Sequence, residues 1–213
     1  MAIKAIFFDF DGTLVESAEI KTDAFRELFK EYKEVDKIVA YHKANSGVSR
    51  YQKFNYIYEN ILKKQITEEE KMLLSEKFSA IALGKVIDCK LVEGTKEFLR
   101  EYSKKIKMYI VSATPEDELI HTIKEKRIYA YFNGIYGAPT KKSEAIKKVA
   151  GKYKLKENEM VMVGDSKADY EAAKDSGIIF IGRSQGNGNV FPKEIETAKD
   201  MYELKKLLKK YEN

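Results

Sequence analysis

The sequence predicts an α/β protein: a parallel sheet with helices on both faces, interrupted near its start by an all-helical insertion. Three observations lead there. Short apolar runs rich in β-branched and aromatic residues recur at 5–8, 108–111, 160–163 and 178–181, as in strands buried on both faces. Amphipathic helical patterns fall between the later runs, the alternation expected of parallel strands joined by crossover helices. From residue 16 to residue 88 the pattern is helical, with no strand signal.

Composition agrees with a globular protein. A chain of 213 residues, 44% hydrophobic and 34% charged, can bury roughly 70% of its unfolded surface and is too apolar for disorder. The single cysteine, Cys89, excludes an internal disulfide and a cysteine metal cluster, and reads as a small apolar residue. The net charge of +5, from 39 basic and 34 acidic residues, is mild and forms no basic stripe, so no nucleic-acid partner is expected. No stretch approaches the ~20 apolar residues of a membrane span. Met1-Ala2-Ile3-Lys4 leads straight into the first strand; this leaves no room for a signal peptide and makes a cytoplasmic protein the expectation.

The first strand stops at Asp9-Phe10-Asp11-Gly12-Thr13-Leu14. Two close carboxylates are costly unless a cation neutralises them or they share a proton. Gly12 supplies a turn and lets backbone approach an anion. Ser17 is placed to cap a helix bearing Ile20, Ala24, Phe25, Leu28, Phe29 and Tyr32. Tyr51, Phe54, Ile57, Tyr58, Ile61 and Leu62 form a second stripe. Thr67-Glu68-Glu69-Glu70 has the form of a capping box and opens a third, with Leu74, Phe78, Ile81 and Ala82, which Gly84 is expected to end. The loop Asn45-Ser46-Gly47-Val48-Ser49-Arg50 ends in an arginine that either recognises a phosphate or carboxylate or is an ordinary solvated side chain. His42 and Lys43 nearby are expected to face solvent.

The α/β alternation resumes near residue 91. Gly94-Thr95 opens a helix with Phe98, Leu99 and Tyr102 on one face. The strand at 108–111 stops at Ser112-Ala113-Thr114-Pro115, where Thr114 as N-cap, Pro115 at the first helical position and acids at 116–118 mark a helix start. Ser112 therefore lies between a strand end and a helix amino terminus, as an anion contact or a plain capping hydroxyl. A weaker strand at 132–136 ends at Gly137-Ala138-Pro139-Thr140-Lys141-Lys142, before a helix with Ala145, Ile146, Val149, Ala150 and Tyr153. A lysine at a helix start opposes the dipole unless a charge partner holds it there. The strand at 160–163 ends in Gly164-Asp165-Ser166-Lys167-Ala168-Asp169, where Ser166 and Asp169 also fit a capping pair. After the strand at 178–181 come Gly182 and a glycine-rich loop, Gly186-Asn187-Gly188-Asn189, without nucleotide-fingerprint spacing. Leu204, Leu207, Leu208 and Tyr211 mark a terminal amphipathic helix.

Parallel crossovers bring all the strand ends to one sheet edge. Asp9 and Asp11, Ser112, the lysine pair, and Asp165 with Asp169 therefore converge. Carboxylate oxygens suit Mg²⁺, and phosphoryl transfer needs charge neutralisation and in-line positioning. Asp9 is the candidate nucleophile and Asp11 the proton donor and acceptor, while Ser112 and a lysine hold phosphoryl oxygens.

The order of these motifs resembles that of haloacid dehalogenase (HAD) superfamily phosphatases with a helical C1-type cap, phosphoglycolate-phosphatase-like members among them. The resemblance implies a three-layer Rossmann-like core of residues 1–15 and 89–213 and a helical cap of residues 16–88. It implies an Mg²⁺-dependent hydrolase of a small phosphorylated metabolite that works through an aspartyl-phosphate. Asp9, Asp11, Ser112 and Lys142 are then catalytic, with Lys141 the alternative lysine. Asp9, Asp11 (through its backbone carbonyl), Asp165 and Asp169 form the metal site. Asp9, Gly12, Thr13, Arg50, Ser112, Ala113 and Lys142 contact substrate. No membrane or nucleic-acid partner is expected, and the expected state is a monomer or homodimer. A sugar phosphomutase would share the core residues, and a non-catalytic phospho-ligand binding protein would tolerate loss of Asp9 or Asp11, both of which are present. Metal-free dehalogenation would leave Asp11 and Asp165 superfluous. Phosphonate cleavage would need a Schiff-base lysine in the cap, which the sequence does not locate.

Overall fold

A computed structural model describes residues 2–184 and 190–211. The glycine-rich loop at 186–189 lies outside the described residues. Six strands form one parallel sheet: β1 (Ala5–Phe8), β2 (Lys107–Pro115), β3 (Gly134–Ala138), β4 (Met160–Gly164), β5 (Ile179–Arg183) and β6 (Thr197–Ala198), in the order β3-β2-β1-β4-β5-β6. Later helices are α5 (Thr95–Tyr102), α6 (Glu116–Glu125), α7 (Lys142–Tyr153), α8 (Lys167–Asp175) and α9 (Met201–Leu208).

The central strand explains the layering. All four residues of β1 are buried, and successive side chains point to opposite faces. Ile6 and Phe8 join Phe98, Leu99, Leu119, Ile123 and Leu204 on one face, under α5, α6 and α9. Ala5 and Phe7 join Tyr109, Met162, Ile146, Val149 and Ala173 on the other, under α7 and α8. Phe8 registers with Ile110 and Val163, so Asp9 leaves the sheet between β2 and β4. The chain departs from β1 in opposite directions along the sheet on either side of this point, which is where open α/β sheets bind ligands.

Between β1 and β2 the chain is helical: α1 (Ala18–Leu28), α2 (Val35–Ala44), α3 (Arg50–Tyr56), a π-helical turn at Ile57–Leu62, and α4 (Glu68–Asp88). These helices have a core of their own, built on Phe25, Phe29, Ile38, Phe54, Ile57, Phe78 and Ala82.

Several expectations shift. The Thr67–Glu70 capping box is present, but α4 runs through Gly84 to Asp88; open space surrounds Gly84, so nothing there forces an end. β2 extends to Pro115, and Thr114 does not cap α6. Ser17 occupies the N-cap of α1, yet its hydroxyl makes no capping bond. The weaker strand is displaced to 134–138, and the second helical stripe splits into α3 and the π-turn. His42 is buried, 4% exposed, and stacked on Phe25 at 4.1 Å; it lies on the same face of α2 as Ile38. Lys43 does face solvent, near Glu19.

Candidate active site at the carboxyl edge of the sheet

Asp9 follows β1 and its backbone N–H donates to the Val163 carbonyl at 2.9 Å, which fixes it at the sheet edge. Asp165 follows β4. Asp169 lies in the first turn of α8, capped by Ser166 as the sequence spacing suggested. One oxygen from each of Asp9, Asp165 and Asp169 lies within 4.8 Å of the others. Lys142, at the start of α7, reaches into this cluster: its ammonium is 3.0 Å from Asp9 Oδ1 and 2.5 Å from Asp169 Oδ1. These charge partners explain a lysine at a helix amino terminus. Lys141 instead lies in solvent, its side chain 73% exposed beside Glu144.

One ammonium does not neutralise three clustered acids, two of them buried and Asp165 half-buried. Burial, opposed by Lys142 but reinforced by Asp169 and Asp11, lifts the Asp9 carboxyl to about 7. Burial, then the charges of Asp9 and Asp169, raises Asp165 well above the ordinary carboxylate value. Lys142 is itself held above the usual lysine value, the pull of Asp169 and Asp9 outweighing its burial. An all-oxygen donor set short of positive charge fits a hard divalent cation such as Mg²⁺.

The Asp11 carboxylate is turned away from that cluster. It accepts hydrogen bonds from Ser17 Oγ at 2.7 Å and Thr114 Oγ1 at 2.8 Å and pairs with Lys21 of α1. Burial alone would raise Asp11, but Lys21 and the two hydroxyls hold it below the ordinary value. Lys21 also donates to Thr114 Oγ1 at 2.8 Å.

Gly12 turns with φ +74°, a conformation natural to glycine. Its carbonyl accepts from Arg183, which also pairs with Glu16 at 2.7 Å and so ties the loop to β5. Thr13 Oγ1 is buried without a hydrogen-bond partner among the described residues. Ser112 is 2% exposed and its hydroxyl accepts from Thr114 N at 3.2 Å. Asp9, Asp11, Ser112, Ala113, Lys142 and Asp165 line one cavity of roughly 570 Å³, counting its open mouth. Gly12, Thr13 and Asp169 lie behind its wall. Arg50 lines the cavity from α3, but it is not solvated. It pairs with Glu118 at 2.8 Å, donates to Ser79 Oγ at 2.6 Å and covers the Phe78 ring.

The sequence profile of the haloacid dehalogenase-like hydrolase family matches residues 6–183, more than half of the chain. The chain belongs to this family. It is 24% identical over 189 residues to a phosphorylated carbohydrates phosphatase of Thermotoga maritima, covering 83% of this chain and 82% of the relative. It is 27% identical over 196 residues to a phosphoglycolate phosphatase of Photobacterium profundum, covering 86% and 84%. Among solved structures, a HAD-hydrolase of Bacillus subtilis bound to magnesium superposes with a TM-score of 0.72 at 18% identity, over 98% of this chain and 99% of the other. Likeness at that identity concerns the fold.

Four residues of this HAD-like site escaped the sequence reading: Lys21, His42, Lys53 and Thr114. All four line the cavity. A signal existed for Lys53. Arg50, Lys53, Phe54 and Ile57 are spaced i, i+3, i+4, i+7 and are all buried, so the lysine sits on an apolar stripe. Thr114 reads from the sequence as a helix cap, the commoner use of a threonine before Pro, and lines the cavity instead.

Proposed function

We propose that this HAD-family chain is an Mg²⁺-dependent phosphatase that releases inorganic phosphate from a small phosphorylated metabolite. The observation that carries this reading is the meeting of Asp9, Asp165 and Asp169 within 4.8 Å, with Asp11 held separately beside them. Relatives named as phosphatases of phosphorylated carbohydrates and phosphoglycolate support it. Residues 16–88 act as a cap over a core of residues 1–15 and 89–213.

Asp9, Asp165 and Asp169, with the Asp11 backbone carbonyl, would hold the cation, which when bound lowers the charge repulsion between carboxylate and phosphate. An Asp9 carboxylate oxygen attacks phosphorus, the ester P–O bond breaks, and the leaving oxygen takes the Asp11 proton. Water then attacks the aspartyl-phosphate and Asp11 takes its proton; the P–Oδ bond breaks, freeing phosphate and Asp9. Lys21 and the two hydroxyls favour the ionised form of Asp11 in this geometry, the form that accepts the water proton in the second half-reaction. Ser112 and Lys142 donate to the phosphoryl oxygens and offset their charge. The Thr13 hydroxyl, without a partner among the described residues, lies in the loop that follows β1.

The test is phosphate release from 4-nitrophenyl phosphate. Activity should require Mg²⁺, vanish in excess chelator and vanish in Asp9→Asn. Full activity in chelator would sink the reading.

A further inference from the structure

Among the described residues, one basic side chain of the cavity has no acid within ion-pair distance. Of the four Lys and Arg side chains lining it, Lys142 pairs with Asp9 and Asp169, Lys21 with Asp11, and Arg50 with Glu118. Lys53 of α3 is 3% exposed and has no carboxylate partner among the described residues. Its ammonium meets two neutral acceptors, His42 Nδ1 and the Ser46 carbonyl, each at 3.1 Å, and lies 5.4 Å from the centre of the Phe25 ring. An ammonium has three N–H donors, so one finds no acceptor among the described residues. A buried cation in this state is costly unless a counterion arrives.

We propose that Lys53 receives a second anionic group of the substrate, a carboxylate or another phosphate, remote from the phosphoryl group that is transferred. This rests on the phosphatase reading above and narrows it: the substrate is a phosphomonoester carrying at least one further negative charge. Lys53 stands on the helical segment, whereas the Asp9 cluster stands on the sheet edge. A ligand with a charge at each end would span the cavity. Arg50 is the less suitable anchor, because Glu118 already neutralises it. His42 keeps Lys53 aimed: burial first, and then Lys53 itself, push the imidazole down to about 2, so His42 stays neutral and its Nδ1 accepts. Burial, followed by repulsion from Lys21, also pushes Lys53 down to about 7. Asp11 opposes this, while Arg50 and Lys142 add to it. A bound anion would reverse that shift and draw a proton onto the amine.

The test uses straight-chain phosphomonoesters of two to five carbons ending in a hydroxyl, a carboxylate or a second phosphate. Calorimetric binding to the full-length Asp9→Asn protein, with Mg²⁺ present, avoids turnover. At the best chain length an anionic end should bind roughly 10- to 100-fold more tightly than the hydroxyl end, the worth of one hydrogen bond to a charged group. Which of the two anionic ends gains more identifies the natural anion. Lys53→Gln in that background, or Lys53→Met if the amide disturbs the 45–50 loop, should abolish the preference. Equal binding of all three ends at every length overturns the proposal, as does a preference that survives both Lys53 substitutions. Absence of phosphate release from 4-nitrophenyl phosphate by the unmodified protein would overturn the phosphatase reading instead, and the binding comparison would still decide the role of Lys53.

Discussion

Asp9→Asn should do more than stop turnover: without metal it should stabilise the protein. In the folded chain the Asp9 carboxyl is raised from 3.8 to about 7, roughly 3 units at 1.36 kcal/mol each, or about 4 kcal/mol when fully expressed. A folded-state pKa above the unfolded one contributes stability that is complete below about pH 4 and is lost as pH rises through about 7. Asparagine is a near-isosteric stand-in for the neutral acid and does not suffer that loss. In chelator at pH 8 the variant should therefore be the more stable protein. The advantage should shrink steadily toward pH 4. Half of the full figure, about 2 kcal/mol, would raise the melting temperature by roughly 4–8 °C for a chain of this size. Urea unfolding in EDTA across that pH range measures it. Saturating Mg²⁺ should reverse the order, because a cation bound by the native state stabilises the parent by mass action. A variant no more stable than its parent at pH 8, or a difference that ignores pH, would refute the idea that Asp9 is held ionised against its surroundings.

Two further outcomes follow from the same geometry. Lys142→Met removes the ammonium 3.0 Å from Asp9 and should lower kcat for 4-nitrophenyl phosphate about 10²- to 10³-fold at saturating Mg²⁺, the usual cost of losing one charge-stabilising donor; a loss confined to KM would argue against that role. Gly164→Ala would set a Cβ 2.3 Å from Asp169 Cγ, where Asp169 is pinned by Lys142 and Ser166. It should cost about 1–3 kcal/mol in urea unfolding and weaken the Mg²⁺-induced rise in melting temperature.

The legible parts were those where two signals coincided. The runs at β1 and β4 are buried on both faces, so their composition alone marks them, and the acids that follow cannot be core residues. Lys142 needed the geometry, because a one-residue choice between adjacent lysines turns on which side of the helix start faces the cluster. The strand β6 is two residues long and too short for any pattern. Polar residues on buried helix faces misled most. His42 and Lys53 pair with each other inside the helical segment, and residue-type expectation placed His42 outside. Glycine 84 misled in the other direction, since a glycine ends a helix only where the chain must turn.

The Asp11–Lys21 contact joins a sheet-edge loop to the first helix of the insertion. Lys21 and a proton compete for Asp11, since the ammonium is what offsets the burial of the ionised carboxylate. Such a competition is reciprocal. Any displacement of α1 that withdraws Lys21 raises the affinity of Asp11 for hydrogen ion, and acid conditions loosen the grip of α1 on the loop. A carboxylic acid that gains a proton while the helix stands off, and is stripped of it when the helix returns, would let one residue serve as donor and then acceptor within a single catalytic cycle.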